Sequence, residues 1–285
     1  MRIVNATGAQ RISDKAVRDQ MADDTGTVSR TLALLASLTE REQWGVSALS
    51  QRLNLPRSTV HRLLNLCRAQ GFVETAGPGL YAPGLALFRL AGRLSFQMPL
   101  RRIVLPLLTE FTQQFSETSL LTVLDRSELK VFFAAKAETT APMRYVIETN
   151  TLVPLGWGAS GRAILAYLTE AEIAEVIRRA EPSPVDGRPL DAKELRKSLA
   201  DIRAKGYAIT QKQRTPEGVG ISVPIFDAAG QVVANVSVTV PTFRFRPQDE
   251  PVFVRALAKI AATVSEALGS TISHHPGPNA NNLVK

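Results

Sequence analysis

The stretch from Pro56 to Gly71 constrains this chain more than any other. Proline disfavours helix for the residue before it and is accommodated in the first turn of a new one, so Asn54-Leu55-Pro56 closes one helix and opens the next. Gly71 stands where a helix C-cap is expected. Between these marks Val60, Leu63, Leu64 and Cys67 fall at i, i+3, i+4 and i+7, which predicts one buried face. Ser58, Thr59, His61, Arg62 and Asn65 fall on the other side. Two shorter helical patterns precede this one. Val28, Leu32, Leu35 and Leu38 mark the first, and residues 46–53, with Ala48, Leu49 and Leu53 on one side, mark the second after a polar turn at Glu40–Gly45. After Gly71, Phe72–Thr75 and Leu80–Pro83 flank Ala76-Gly77-Pro78-Gly79, which predicts a hairpin. Two short helices, a tight turn, a third helix and a hairpin describe a helix-turn-helix with a wing.

The outward residues of the third helix are hydroxyls, an imidazole, a guanidinium and an amide, the groups that read base edges or hold phosphates. Arg57, beside the free N–H groups of the helix start, suits a phosphate. The charge distribution agrees. The 285-residue chain has a formal charge of +8. Residues 1–95 hold 12 Lys and Arg against 7 Asp and Glu, while the remaining 190 hold 22 against 19. The candidate polyanion surface is therefore N-terminal. A polar helix face is also simply a solvated face, so a winged helix used for protein contacts alone stays open. Cys67 reads as a small buried hydrophobe and not as a reactive thiol.

At roughly 100 to 200 residues per domain the length predicts two domains. The expected division is a disordered arm at 1–25, the winged helix at 26–83, a linker helix at 84–97 carrying Leu85, Leu87, Leu90 and Leu94, a second domain at 98–270 and a disordered tail at 271–285. In the second domain, helices are predicted at Leu100–Phe115, Ala163–Leu168, Glu170–Ala180, Leu190–Lys205 and Gln248–Leu268. Strands are predicted at Leu120–Leu124, Val131–Ala135, more weakly Met143–Glu148, then Tyr207–Thr210, Gly220–Phe226 and Val232–Val240. Strands paired in hairpins, with helices before, between and after them, indicate an α+β domain with an antiparallel sheet.

Catalytic chemistry finds little support. Gly156-Trp157-Gly158-Ala159-Ser160-Gly161 has the G-x-G-x-x-G spacing, but another helix follows where a βαβ unit needs its second strand. Ser160 is not in a nucleophile elbow, because position 162 is Arg. The histidines are His61, His274 and His275, and the one cysteine is Cys67, so residues 98–270 contain neither type. A Ser or Cys nucleophile usually needs a His base, and most zinc and iron sites need His or Cys. No catalytic residue, metal or cofactor is expected. Carboxylates and lysines keep a hydrolase or transferase with an accessory winged helix as an alternative. A single cysteine excludes a disulfide framework and fits a reducing compartment. No apolar stretch approaches the ~20 residues of a membrane span, and the N-terminus lacks a signal-peptide core, so a cytoplasmic protein without a membrane partner is expected.

Ser29-Arg30-Thr31-Leu32, the block Leu55-Pro56-Arg57-Ser58-Thr59-Val60-His61-Arg62-Leu63-Leu64, and Gly71-Phe72-Val73-Glu74 resemble the IclR family of bacterial transcription regulators. The resemblance continues in Ala159-Ser160-Gly161-Arg162-Ala163, Gly206-Tyr207-Ala208 and Val223-Pro224-Ile225-Phe226-Asp227, and spans roughly residues 25–270. It implies an N-terminal winged helix, a linker helix and a GAF-like C-terminal domain that binds a small effector, assembled as a homodimer or homotetramer on a palindromic or pseudo-palindromic operator. Ser58, Thr59, His61 and Arg62 are then expected in the major groove. Arg57, Asn65 and the wing residues Thr75, Gly77, Gly79 and Tyr81 are expected on the backbone or in the minor groove.

For the effector, Gly158 and Ala159 match the family's small residues whose N–H groups can hold a carboxylate. Thr210 falls where some members have Asp, and Gly220 where some have Cys. Ser237 and Thr239 fall on the last strand, on one sheet face by their alternate spacing. Thr210 and Gly220 leave fewer acidic groups and more space than glyoxylate-type relatives have. The loop Gln211-Lys212-Gln213-Arg214-Thr215 is basic where the family is commonly acidic. With Arg144 it favours an anionic ligand such as an aromatic or aliphatic carboxylate; the other reading is a solvated basic loop.

Overall fold

The structure is a computed structural model that describes residues 26–97 and 99–271. The arm expected at 1–25 lies outside the described residues, as does the expected tail beyond residue 271. The chain divides into two compact units between Gln97 and Met98.

The first unit contains α1 (26–38), β1 (Trp44–Gly45), α2 (Val46–Leu53), α3 (Arg57–Ala69), β2 (Val73–Gly77), β3 (Leu80–Pro83) and α4 (Leu85–Gln97). Asn54 ends α2 in the left-handed region at φ 51°, a conformation that its short polar side chain tolerates. Ser50 Oγ then donates to the Leu55 carbonyl at 2.6 Å, and Pro56 caps α3 in an extended conformation. Val60, Leu63, Leu64 and Cys67 are buried as their spacing requires, against Leu34, Leu38, Leu49, Trp44, Val73 and Tyr81. The stripe on α1 differs from expectation. Leu34 and Leu38 are buried, whereas Val28 and Leu32 are exposed.

The wing is an antiparallel sheet in the order β1-β3-β2, with Trp44 opposite Tyr81. Strand β1 falls in the segment expected to be a polar turn; two residues are too few to display a period. Gly84 lets the end of the wing close onto Gly71, because a Cβ there would lie 2.3 Å from the Gly71 carbonyl oxygen.

The second unit contains α5 (Pro99–Phe115), β4 (Thr118–Asp125), β5 (Lys130–Ala137), β6 (Leu152–Pro154), α6 (Gly158–Leu165), α7 (Glu170–Arg178), α8 (Ala192–Lys205), β7 (Ala208–Gln211), β8 (Gly218–Phe226), β9 (Val232–Pro241) and α9 (Glu250–Ala267). Its six strands form one antiparallel sheet in the order β6-β5-β4-β9-β8-β7, the α+β arrangement expected from the hairpins. Alternation along β9 sorts its two faces. Ala234, Val236, Val238 and Val240 join Ile221, Val223 and Ile225 against α5 and α9. Asn235, Ser237 and Thr239 point to the face covered by α6. There Ala163, Ile164 and Leu165 pack with Leu195, Leu199 and Ile202 of α8.

Two expectations fail in this unit. Residues 143–148 are not a strand, and the edge strand is β6 at 152–154. Helix α6 begins at Gly158, not Ala163, since a Gly/Ala/Ser run carries no apolar period yet suits a helix laid close on a sheet. No helix among the described residues is long and apolar enough to cross a membrane.

Candidate functional site

On α3, Arg57, Ser58, His61 and Arg62 are exposed, and Thr59 and Asn65 half-buried. The helix contains no acidic residue in its first turn and ends with Arg68 in its last. Arg68 Nη1 reaches Thr75 Oγ1 on the wing at 3.4 Å, a weak tie between α3 and the hairpin that the helix pattern alone does not reveal. Asn65 Nδ2 lies 3.1 Å from His61 Nδ1, one helical turn away. At the wing, Thr75 and Gly79 are exposed and Gly77 is half-buried. Gly77 and Gly79 adopt φ of 150° and 70°, so the Gly-Pro-Gly tip depends on both. Tyr81 is a correction: it belongs to the buried core of the unit and not to the outer surface of the wing. Its alternation with exposed Leu80 on β3 points it inward.

In the second unit a cavity of about 310 Å³ opens between the sheet, the start of α6 and the loop after β7. Leu120, Val131, Phe133, Ile147 and Val153 make it predominantly apolar. Gly158, Ala159, Thr210, Gly220 and Thr239 all line it, so five positions separated by up to 81 residues in sequence meet around one space. Ser237 stands behind the wall and accepts a 3.1 Å hydrogen bond from Ser160 Oγ, while Asn235 Nδ2 donates to the Ser160 carbonyl at 2.8 Å. These bonds tie the first turn of α6 to β9.

Small residues permit that closeness. A Cβ on Gly161 would lie 2.5 Å from the Leu155 carbonyl oxygen, and one on Gly220 3.2 Å from Ala159 Cβ. The absent side chain at Gly220 is thus filled by Ala159, which corrects the expectation of extra room. Behind the turn, buried Arg162 donates from Nε to the Gly156 carbonyl at 3.1 Å and from Nη1 to Ser198 Oγ at 3.3 Å; burial lowers its pKa. Trp157 Nε1 donates to the Glu181 carbonyl at 2.9 Å. The loop 155–158 is therefore held from both sides.

Two charged residues line the cavity, Arg214 and the exposed Glu148. The Arg214 guanidinium is half-buried, 5.7 Å from the centre of the Phe133 ring, and burial lowers its pKa. Among the described residues no carboxylate pairs with it. Gln213 Oε1 accepts from the Gly158 N–H at 3.3 Å, a long contact that leaves the helix start weakly satisfied. Arg144 does not join them: it is exposed, its Nη1 directed to the Ala141 carbonyl at 3.4 Å, and it lies outside the cavity lining. No group of three or more His, Cys, Asp or Glu able to hold a metal occurs among the described residues. The G-x-G-x-x-G run at 156–161 leads from β6 through α6 into α7 within an antiparallel sheet, so the parallel crossover of a dinucleotide site is missing.

These two arrangements match one family. The IclR helix-turn-helix domain matches residues 27–77, and the bacterial transcriptional regulator IclR C-terminal domain matches residues 94–266. The chain belongs to the IclR family. IclR-family members are transcription regulators and not enzymes, and the relatives agree. The regulator BhcR of Paracoccus denitrificans is 31% identical over 235 residues, covering 78% of this chain and 81% of BhcR. The regulator KdgR of Dickeya chrysanthemi is 27% identical over 253 residues, covering 88% and 82%. A solved IclR homologue from Microbacterium hydrocarbonoxydans, complexed with 4-hydroxybenzoate, superimposes with a TM-score of 0.69 at 26% identity, covering 83% of this chain and 99% of that one. Like other IclR-family regulators, the chain pairs a DNA-binding helix-turn-helix unit with a C-terminal domain built on an antiparallel sheet.

Proposed function

We propose that this regulator reads operator DNA through residues 26–83 and senses a small carboxylate, aromatic or aliphatic, through residues 98–270, with 84–97 as the link. The observation that carries the ligand class is Arg214: a half-buried guanidinium that pairs with no carboxylate among the described residues, facing a mostly apolar cavity whose other charged residue, Glu148, is exposed. Burying an unpaired charge is costly, and a bound anion offsets that cost. The N–H groups at the start of α6 add a second site for negative charge. About 310 Å³ lies at the small end of ligand pockets and suits one ring or a short chain. The 4-hydroxybenzoate bound by the Microbacterium homologue is a ligand of this kind.

For DNA, Ser58, Thr59, His61 and Arg62 face the major groove, and Arg57, Asn65, Thr75, Gly77 and Gly79 contact the backbone or the minor groove. The protein works in the cytoplasm as a homodimer or homotetramer on two-fold operators. Exposed Leu85, Phe88, Leu90 and Leu94 on α4 support self-association. A ligand acts by favouring one of two arrangements of the oligomer.

A thermal-shift panel on the full chain tests the ligand class. Benzoate, 4-hydroxybenzoate and short aliphatic carboxylates are compared with their neutral amides; a ligand at 100 times its Kd stabilises by about 2.7 kcal/mol. Carboxylates should raise the melting temperature of the wild type and not of Arg214→Ala. Equal shifts from acids and amides, or an unchanged response in Arg214→Ala, contradict this reading.

A further inference from the structure

Trp157 borders two spaces. One is the cavity already described; the other is an open cleft of about 430 Å³ walled by α6, the loop before α8 and the first turn of α8. The charged residues lining this cleft are Arg162, Arg188, Asp191 and Glu194. Two of them are engaged elsewhere. Asp191 caps α8, its carboxylate accepting from the Lys193 and Glu194 N–H groups at 2.8 and 2.9 Å. Arg188 lies 3.5 Å from the Asp186 carboxylate. Arg162 and Glu194 are not so engaged. Arg162 is only 4% exposed, and its two hydrogen bonds go to neutral acceptors, the Gly156 carbonyl and Ser198 Oγ. A buried guanidinium without a counter-charge is unfavourable. Glu194 is exposed and its side chain forms no ion pair among the described residues. Its charge favours the protonated Arg162 from a distance, while that of Arg188 opposes it. Opposite charges therefore face one cleft and act across it without contact.

We propose that this cleft is a second ligand site and that it takes an α-amino acid with an apolar side chain, its carboxylate on Arg162 and its ammonium on Glu194. An amino acid carries both charges on one carbon. A simple anion leaves Glu194 unmatched, and a simple cation leaves Arg162 unmatched. A guanidinium has five N–H donors, so Arg162 retains donors beyond the two bonds it makes. Leu190 and the Trp157 ring supply an apolar wall, and the volume falls in the range of small-molecule sites. Because Trp157 borders both spaces, a ligand here acts on the turn that shapes the first cavity, a route for one site to bias the other.

Thermal-shift titration of the full chain, as wild type and as Arg214→Ala, tests the proposal; Arg214→Ala removes the guanidinium of the first cavity and leaves the cleft intact. Phenylalanine and leucine are compared with phenylpropanoate and phenethylamine, which lack the ammonium or the carboxylate. Both amino acids should raise the melting temperature of both proteins by several degrees, and in Arg214→Ala each half-ligand should do so far less. Glu194→Gln, at an exposed position, should leave the unliganded stability unchanged and weaken amino-acid binding about tenfold. No response to either amino acid, equal responses to amino acids and half-ligands in Arg214→Ala, or undiminished binding in Glu194→Gln overturns the proposal. A response present in wild type and lost in Arg214→Ala places the amino acid in the first cavity and overturns it as well.

Discussion

Ser160 Oγ donates to Ser237 Oγ at 3.1 Å, so α6, whose first residues line the cavity, is bonded directly to β9, one of the two central strands of the sheet. Ser237 is buried, and replacing it with Ala strands the Ser160 hydroxyl at the sheet. A loss of about 1 kcal/mol is expected for one such bond. Denaturant unfolding of Ser237→Ala against wild type measures it, and an unchanged midpoint shows that the bond does not anchor α6.

Backbone proximity at the same turn allows a sharper contrast. Gly161→Ala places a Cβ 2.5 Å from the Leu155 carbonyl, where backbone must move, and should destabilise by about 2–4 kcal/mol. Gly92→Ala lies within α4 with nothing inside 4 Å and should be neutral or stabilising by up to about 1 kcal/mol. Thermal unfolding of the two variants should move in opposite directions or differ by several degrees; equal effects contradict the close approach.

How far the sequence anticipated this molecule depended on whether a residue's role shows in its period. The core face of α3 did, because Val60, Leu63, Leu64 and Cys67 are buried by the same helical spacing that identifies them. Val28 and Leu32 follow the same rule on α1 and are exposed, because periodicity reports a face and not what covers it. Strand β6 escaped notice since three residues show no alternation, while Met143–Glu148 looked more strand-like and is not one. In the cavity, Gly158, Ala159, Thr210, Gly220 and Thr239 were legible only through family resemblance. That Arg214 pairs with no carboxylate among the described residues was not legible at all, because pairing is a property of the folded surroundings.

Acid stability carries a signature of one ion pair. Arg126 grips Glu172 through Nε and Nη2 at 2.6 and 3.2 Å, and this contact, with the Thr169 cap, holds the carboxyl at about 2 against an ordinary 4.5. A depressed folded pKa means the contribution is fully present above about 4.5 and disappears as pH falls towards 2. Arg126 is exposed enough that the effect should stay below about 1 kcal/mol. Glu172→Gln should therefore be less stable than wild type at pH 7, with the gap closing between pH 4.5 and 2. A gap independent of pH refutes the assignment.

The winged-helix core gives a folding control for every DNA measurement. Leu64 is fully buried, and Leu64→Ala should cost about 2–5 kcal/mol. It should remove DNA binding together with the cooperative unfolding of the first unit, whereas exposed Arg62→Ala should leave stability within about 0.5 kcal/mol of wild type.

The central claim, that the exposed face of α3 grips operator DNA, is tested most directly by titrating a selected operator with full-length wild type and Arg62→Ala across a salt series, read by fluorescence anisotropy. Arg62→Ala should weaken binding by about 1–3 kcal/mol. For the wild type, log K should fall steeply and linearly with log salt, as phosphate contacts require. A flat salt response, with Arg62→Ala binding as tightly as wild type, contradicts the account.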